Sequence, residues 1–144
     1  RVFKNMIKRF FQKLRGKTID EVGDLEEELS RIKNKFKMSL VSFMGIQGNV
    51  KGLTLIHEAD EGLDEKFFAG TFQEIYQGIN ILKEHFLTPP LGLSVIRSAD
   101  RSVVFGPVSK IIVFVGILSD KKYLDRMKDW FFRNEKKFKE IFTS

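Results

Sequence analysis

The chain has 144 residues, a length that supports one domain with a core of its own. Apolar residues make up 42% and charged residues 31%, which excludes a disordered chain, and the absence of cysteine excludes disulfides, thiolate metal sites and thiol nucleophiles. The net charge of +6 lies wholly in residues 1–17, which hold seven lysines and arginines and no acid; the remainder carries 18 basic and 19 acidic residues, which argues against a broad phosphate-binding face and a nucleic-acid partner.

Val2 to Arg15 is expected to form a basic amphipathic helix. At 100° per residue Val2, Phe3, Met6, Ile7, Phe10, Phe11 and Leu14 share one half of the wheel, and most of the basic residues, Lys4 and Lys8 among them, take the other. Gly16 supplies a stop. We therefore divide the chain into this segment, residues 1–17, and a domain over residues 18–144. Thr18 and Glu21 pair as a capping box for a second helix whose apolar stripe is Val22, Leu25, Leu29, Ile32 and Phe36.

Two strands follow, Leu40 to Ile46 and Val50 to His57, joined by Gln47, Gly48 and Asn49. The first is apolar on both faces, with Val41 and Phe43 on one and Leu40, Met44 and Ile46 on the other. An acidic stretch from Glu58 to Glu65 leads into a long helix, roughly Asp64 to Phe86, carrying Phe67, Phe68, Phe72, Ile75, Tyr76, Ile79 and Leu82. Pro89 and Pro90 break it. Strand three is read as Leu91 to Arg97, strand four as Ser102 to Phe105, and strand five as Ile111 to Leu118. Strand five is apolar on both faces and belongs in the middle of a sheet. It holds the longest apolar run in the chain, far below the ~20 residues of a membrane span. A last helix runs from about Asp120, its cap, to Phe142. The order αββαβββα around a doubly covered strand implies a three-layer α/β sandwich.

That order, with the local pattern SVVFGPVSKIIVFVGIL over residues 102–118, resembles the roadblock family of dynein light-chain-like domains; profilin and longin domains share a related layout. The resemblance spans Thr18 to about Phe142. It implies a five-stranded antiparallel sheet in the order 2-1-5-4-3, with the first and last helices on one face and the middle helix on the other. It also implies dimers joined through strand three and the middle helix, and a role in regulating or scaffolding a small Ras-like GTPase. On this chain the expected interface residues are Phe68, Phe72, Ile75, Leu91, Leu93 and Val95. The basic segment is not part of the family pattern.

Enzymatic alternatives find little support in the residues. Gly45 to Gly52 is rich in glycine but lacks the Lys-Ser/Thr pair and the following helix of a phosphate loop, so a hairpin turn is the better reading. The acids between Glu58 and Glu65 lack the spacing of a calcium loop and suit a helix entry. His57 and His85 have no serine or carboxylate spaced as a triad. We expect no catalytic residues, no metal and no cofactor. The first functional reading is a cytoplasmic homodimeric module acting on a small GTPase. The second is a peripheral membrane adaptor, with Phe3, Ile7, Phe10, Phe11 and Leu14 toward an anionic membrane surface or a partner, and Lys4 and Lys8 at the headgroups.

The seven apolar residues of the basic helix are each worth ~1.5–3 kcal/mol on full burial, too much to leave in water. We expect them to dock on the domain or its dimer mate. Phe10→Glu or Phe11→Glu should then lower the melting temperature, while Lys4→Glu with Lys8→Glu should hardly move it. Unchanged melting of Phe10→Glu, together with salt-sensitive binding of the parent to acidic liposomes, would transfer the segment to the membrane reading.

Overall fold

A computed structural model describes residues 19–142, with side chains from residue 23 onward. The expected basic helix, with Phe3, Lys4, Ile7, Lys8, Phe10, Phe11 and Leu14, and the Thr18 cap lie outside the described residues. The elements are α1 (Ile19–Lys35), β1 (Met38–Gly45), β2 (Thr54–Ala59), α2 (Glu65–Phe86), β3 (Ser94–Arg97), β4 (Ser102–Pro107), β5 (Ile112–Leu118) and α3 (Leu124–Phe142), with short 3-10 turns at Gly48–Val50 and Lys121–Tyr123. All four strand pairings are antiparallel, and the sheet order is β2-β1-β5-β4-β3. This is the fold class and strand order expected from the sequence.

Strand alternation sorts the core into two layers. Val41, Phe43, Val104, Ile112, Phe114 and Leu118 pack with α1 and α3, which contribute Leu25, Leu29, Ile32, Met127, Trp130, Phe131 and Phe138. Leu40, Met44, Ile46, Phe105, Val113 and Val115 pack on the other side with Ala69, Phe72 and Tyr76 of α2. The first layer is dense with rings: Phe114 lies 5.5 Å from Phe43, 5.6 Å from Trp130 and 5.2 Å from Phe131, within the range where aromatic pairs attract beyond their buried area. Gly106 allows this packing, because a Cβ there would come within 2.6 Å of Phe131 and 2.7 Å of Leu93.

Three boundaries differ from the sequence reading. β2 begins at Thr54 rather than Val50, because Gly48 and Gly52 adopt φ of +67° and +80° and curl the connection, while Val50 turns inward and is buried. β3 begins at Ser94, so Leu91 and Leu93 lie on the approach to the strand rather than in it. Asp120 caps the 3-10 turn that precedes α3, accepting from the Lys122 amide at 3.0 Å, and α3 itself starts at Leu124.

One polar contact ties α1 to α3. The Glu28 carboxylate accepts from the indole N–H of Trp130 at 2.8 Å and from two guanidinium N–H groups of Arg31 at 2.7 and 2.8 Å. The Arg31 hydrogen bonds, helped by the Trp130 indole and the charge of Lys137, hold the Glu28 carboxyl at about 2 against the opposing effect of burial. A carboxyl lowered on folding stabilises the fold above its ordinary value of 4.5, and that contribution is lost as pH falls toward 2. Glu28→Ala leaves the Trp130 N–H buried and unpaired, so it should cost about 1–3 kcal/mol at pH 7. The gap to the parent should narrow between pH 5 and pH 2, read by urea unfolding followed through the fluorescence of Trp130, the single tryptophan.

Candidate functional site

The two faces of the sheet are covered unequally. Among the described residues two helices lie on one face, and α2 alone lies on the other. Its 22 residues make a helix about 33 Å long, whereas strands of four to eight residues reach at most about 27 Å and five strands span about 19 Å. The helix therefore outruns its sheet. Its buried residues, Ala69, Phe72 and Tyr76, all lie in its first twelve positions. The same stripe continues as Ile79, Leu82 and Phe86, and there it emerges into solvent: Leu82 is 51% exposed and Phe86 78%.

Exposed apolar residues are concentrated on α2 and at its two ends. Eight large apolar side chains are exposed among the described residues. Phe67, Ile81, Leu82 and Phe86 are on α2, Leu63 and Leu87 flank it, and Ile96 is on β3; only Phe132 lies elsewhere. The register Ile96↔Val103 sets Ile96 on the α2 side of the sheet, since Val103 packs with the α2 layer. β3 is an edge strand paired only with β4, so its outer backbone groups have no strand partner among the described residues. A scattered exposed leucine needs no explanation, whereas Ile81, Leu82, Phe86 and Leu87 fall within seven residues of one another at the end of α2.

The residues expected at an interface divide between the two faces. Phe68 and Ile75 are half-buried on the α2 side, where Phe68 stacks at 5.7 Å on Phe72. Phe72 is a core residue, 6% exposed and 5.7 Å from the ring of Phe105, so it holds α2 to the sheet and has little surface to offer. Leu93 and Val95 pack into the layer of α1 and α3, on the opposite side from α2, and Leu91 is half-buried at the end of the sheet. Apolar residues at alternate positions of this segment mark the face that meets the core. The exposed apolar residue of β3 is Ile96. Ile81, Phe86 and Leu87 are exposed as well, and the sequence carries the signal for them: apolar residues on α2 extend beyond one stripe and continue past the last buried turn.

The glycine loop and the acidic stretch are taken up by structure. In the loop, the amides of Gly45, Ile46, Lys51, Gly52 and Leu53 donate to carbonyls of the chain itself. Asp64 caps α2 through the amides of Lys66 and Phe67, Asp60 pairs with Lys33 at 2.6 Å, and Glu65 accepts from Thr54 and lies 3.6 Å from His57. Burial pushes the Tyr76 phenol up to about 12, so it stays neutral beneath α2. Among the described residues no helix is long and apolar enough to cross a membrane.

With this geometry in hand, comparison with solved structures assigns the fold. The gliding protein MglB of Thermus thermophilus superposes with a TM-score of 0.64 at 12% identity, over 80% of this chain and 85% of that one. An MglB solved in a tetrameric arrangement gives 0.66 at 13% over 82% and 88%, and Myxococcus xanthus MglB gives 0.63 at 15% over 78% and 89%. The chain has a roadblock-type fold. No family model matches it, nor does any curated protein sequence.

Placement on this roadblock-type fold separates core from surface along one helix. Phe72→Ala should cost about 3–5 kcal/mol in urea unfolding, as for a buried phenylalanine. Phe86→Ser, fourteen residues along the same stripe, should leave the far-ultraviolet circular dichroism of the chain unchanged.

Proposed function

We propose that this chain is a non-enzymatic, cytoplasmic protein-binding module that pairs with a second copy of itself through α2 and β3 and regulates or scaffolds a small Ras-like GTPase. The observation that carries the reading is the exposed apolar Ile81, Leu82 and Phe86 at the end of α2, together with the exposed Ile96 on the open edge strand β3. Two copies meeting there extend one sheet across the contact and cover the overhang of α2, which satisfies both the free backbone groups and the exposed rings. The roadblock resemblance supports the same two elements as the dimer contact and a GTPase as the partner. The MglB seen in a tetrameric arrangement supports self-association of this fold. The internal bonding of the Gly45–Gly52 loop supports a role without nucleotide chemistry.

Light scattering at tens of micromolar, where a dimer of ~μM affinity persists, should give a dimer for the parent. Phe86→Glu combined with Ile96→Glu should give a monomer with unchanged circular dichroism, because burying each apolar side chain is worth about 1.5–3 kcal/mol, or roughly tenfold or more in self-affinity. Adding the dimer to a Ras-like GTPase encoded in the same genome should change that protein's GTP turnover, while the chain alone should show none. A monomeric parent would overturn the dimer, and turnover by the repurified chain that a change in residues 45–52 abolishes would overturn the non-enzymatic reading.

A further inference from the structure

A second surface, unlike the first in chemistry, lies at the end of the sheet where β4 stops and β5 starts. It is a groove of about 520 Å³, open to solvent and within the size range of ligand sites. Leu91, Val108, Ile111 and Phe142 supply apolar lining, and Pro89, Pro90 and Pro107 supply rigid walls. Its charged lining residues are three lysines: Lys83 from the end of α2, Lys110 from the β4–β5 turn and Lys139 from the end of α3. No acid lines the groove.

The three lysines are not equivalent. Lys139 lies 3.3 Å from Glu135 and also borders a neighbouring cleft with Glu140, so its charge is partly met. Lys83 and Lys110 make no ion pair with a described residue. Lys110 is also held in place. The Ser109 hydroxyl accepts from the amides of Ile111 and Ile112 at 3.2 and 3.1 Å, and the amides of Val108 and Ser109 donate to the Ile112 carbonyl at 3.1 and 3.2 Å. Four bonds fix a turn that presents one lysine at its tip, and such preorganisation lowers the cost of binding.

An apolar centre with a cationic rim calls for the complementary pattern, an apolar side chain flanked by carboxylates. The chain's own residues 1–17 do not fit, since they carry seven basic residues and no acid. A nucleic acid does not fit either, because the lining offers one aromatic ring, Phe142, where successive bases would need several stacking partners. An open groove suits a passing peptide segment better than a small molecule, which it could not enclose. We infer that this groove is a docking site for an acidic segment of a partner protein, in which one or two apolar side chains enter between Leu91, Val108 and Ile111 while flanking carboxylates meet Lys83 and Lys110. The inference is independent of the GTPase reading and of the α2–β3 contact.

The test uses the full chain and a pool of fluorescein-labelled hexapeptides with Leu, Ile, Phe or Trp at two central positions and Asp or Glu around them. Two control pools carry Lys and Arg around the same centres, or Gly centres between the same acids. The acidic-apolar pool should bind saturably at low salt, and enriched members should shift the amide resonances of Leu91, Val108 and Ile111. Both controls, and the acidic-apolar pool on the Lys83→Glu, Lys110→Glu variant, should bind about tenfold or more weakly, the scale of losing one charge-assisted contact. Both lysines are at the surface, so the variant should melt with the parent; the single variants Lys83→Gln and Lys110→Gln provide the comparison if it does not. The inference is overturned if the acidic-apolar pool fails to bind at up to about 1 mM, if the lysine variants bind as the parent does, or if the shifts fall elsewhere. Shifts in the groove caused by phosphatidylglycerol vesicles, with the peptides inert, would equally overturn it and assign the groove to lipid.

Discussion

Phe114 and Val115 are neighbours on β5, their side chains leave opposite faces of the sheet, and neither is exposed at all. A strand built this way can exist only where both faces are covered, because uncovering either would return several buried side chains to water at about 25 cal/mol per Å². The three-layer arrangement follows from that requirement. So does the division of helices among the described residues, since α1 and α3 take the face of Phe114 and α2 takes the face of Val115. Two helices cover one face fully, whereas one helix, longer than the sheet beneath it, covers the other incompletely. The exposed surface around Phe86 and Ile96 is the remainder of that unequal division.

The fold was legible because it is written in short-range alternation. Val41 and Phe43 against Leu40, Met44 and Ile46 give the two faces of β1 directly, and the structure keeps that division. The spacing of Leu25, Leu29, Ile32 and Phe36 gives the buried stripe of α1 in the same way. Boundaries were less legible where an apolar residue served a purpose other than pairing. Val50 has the composition of a strand residue, yet it plugs a loop that two left-handed glycines bend back toward β1. Leu91 and Leu93 alternate as a strand would, but they approach β3 without joining it.

The exposed apolar surface of α2 was less legible than the fold. Periodicity reports which side chains share a face, but carries no information on how far the neighbouring layer extends. Phe72 and Phe86 sit on one stripe of α2, yet the first lies over Phe105 and the second lies beyond the sheet. Nothing local to either residue distinguishes them. The length of the helix set against the reach of the strands does, and that comparison needs the sheet to be assembled first. On β3 the alternating apolar residues Leu93 and Val95 are half-buried against the layer of α1 and α3, which leaves Ile96 as the exposed apolar residue of the strand.

The two surfaces also differ in what they can meet, and elementary electrostatics sorts them. A two-fold contact brings each residue near the same patch on the other copy, so a surface that meets itself must tolerate its own charge. Ile81, Leu82, Phe86 and Ile96 are themselves uncharged, so these side chains add no like-charge contact on meeting their own copies. The groove at the β4–β5 turn fails that condition, since self-contact would set Lys83 and Lys110 against their own copies, with the unfavourable cost of like-charge juxtaposition. It is suited to a partner of opposite sign. A single domain of near-neutral charge can thus keep self-association and recognition of another protein apart, by placing bare apolar area at the sheet edge and lysines around a groove at the strand ends.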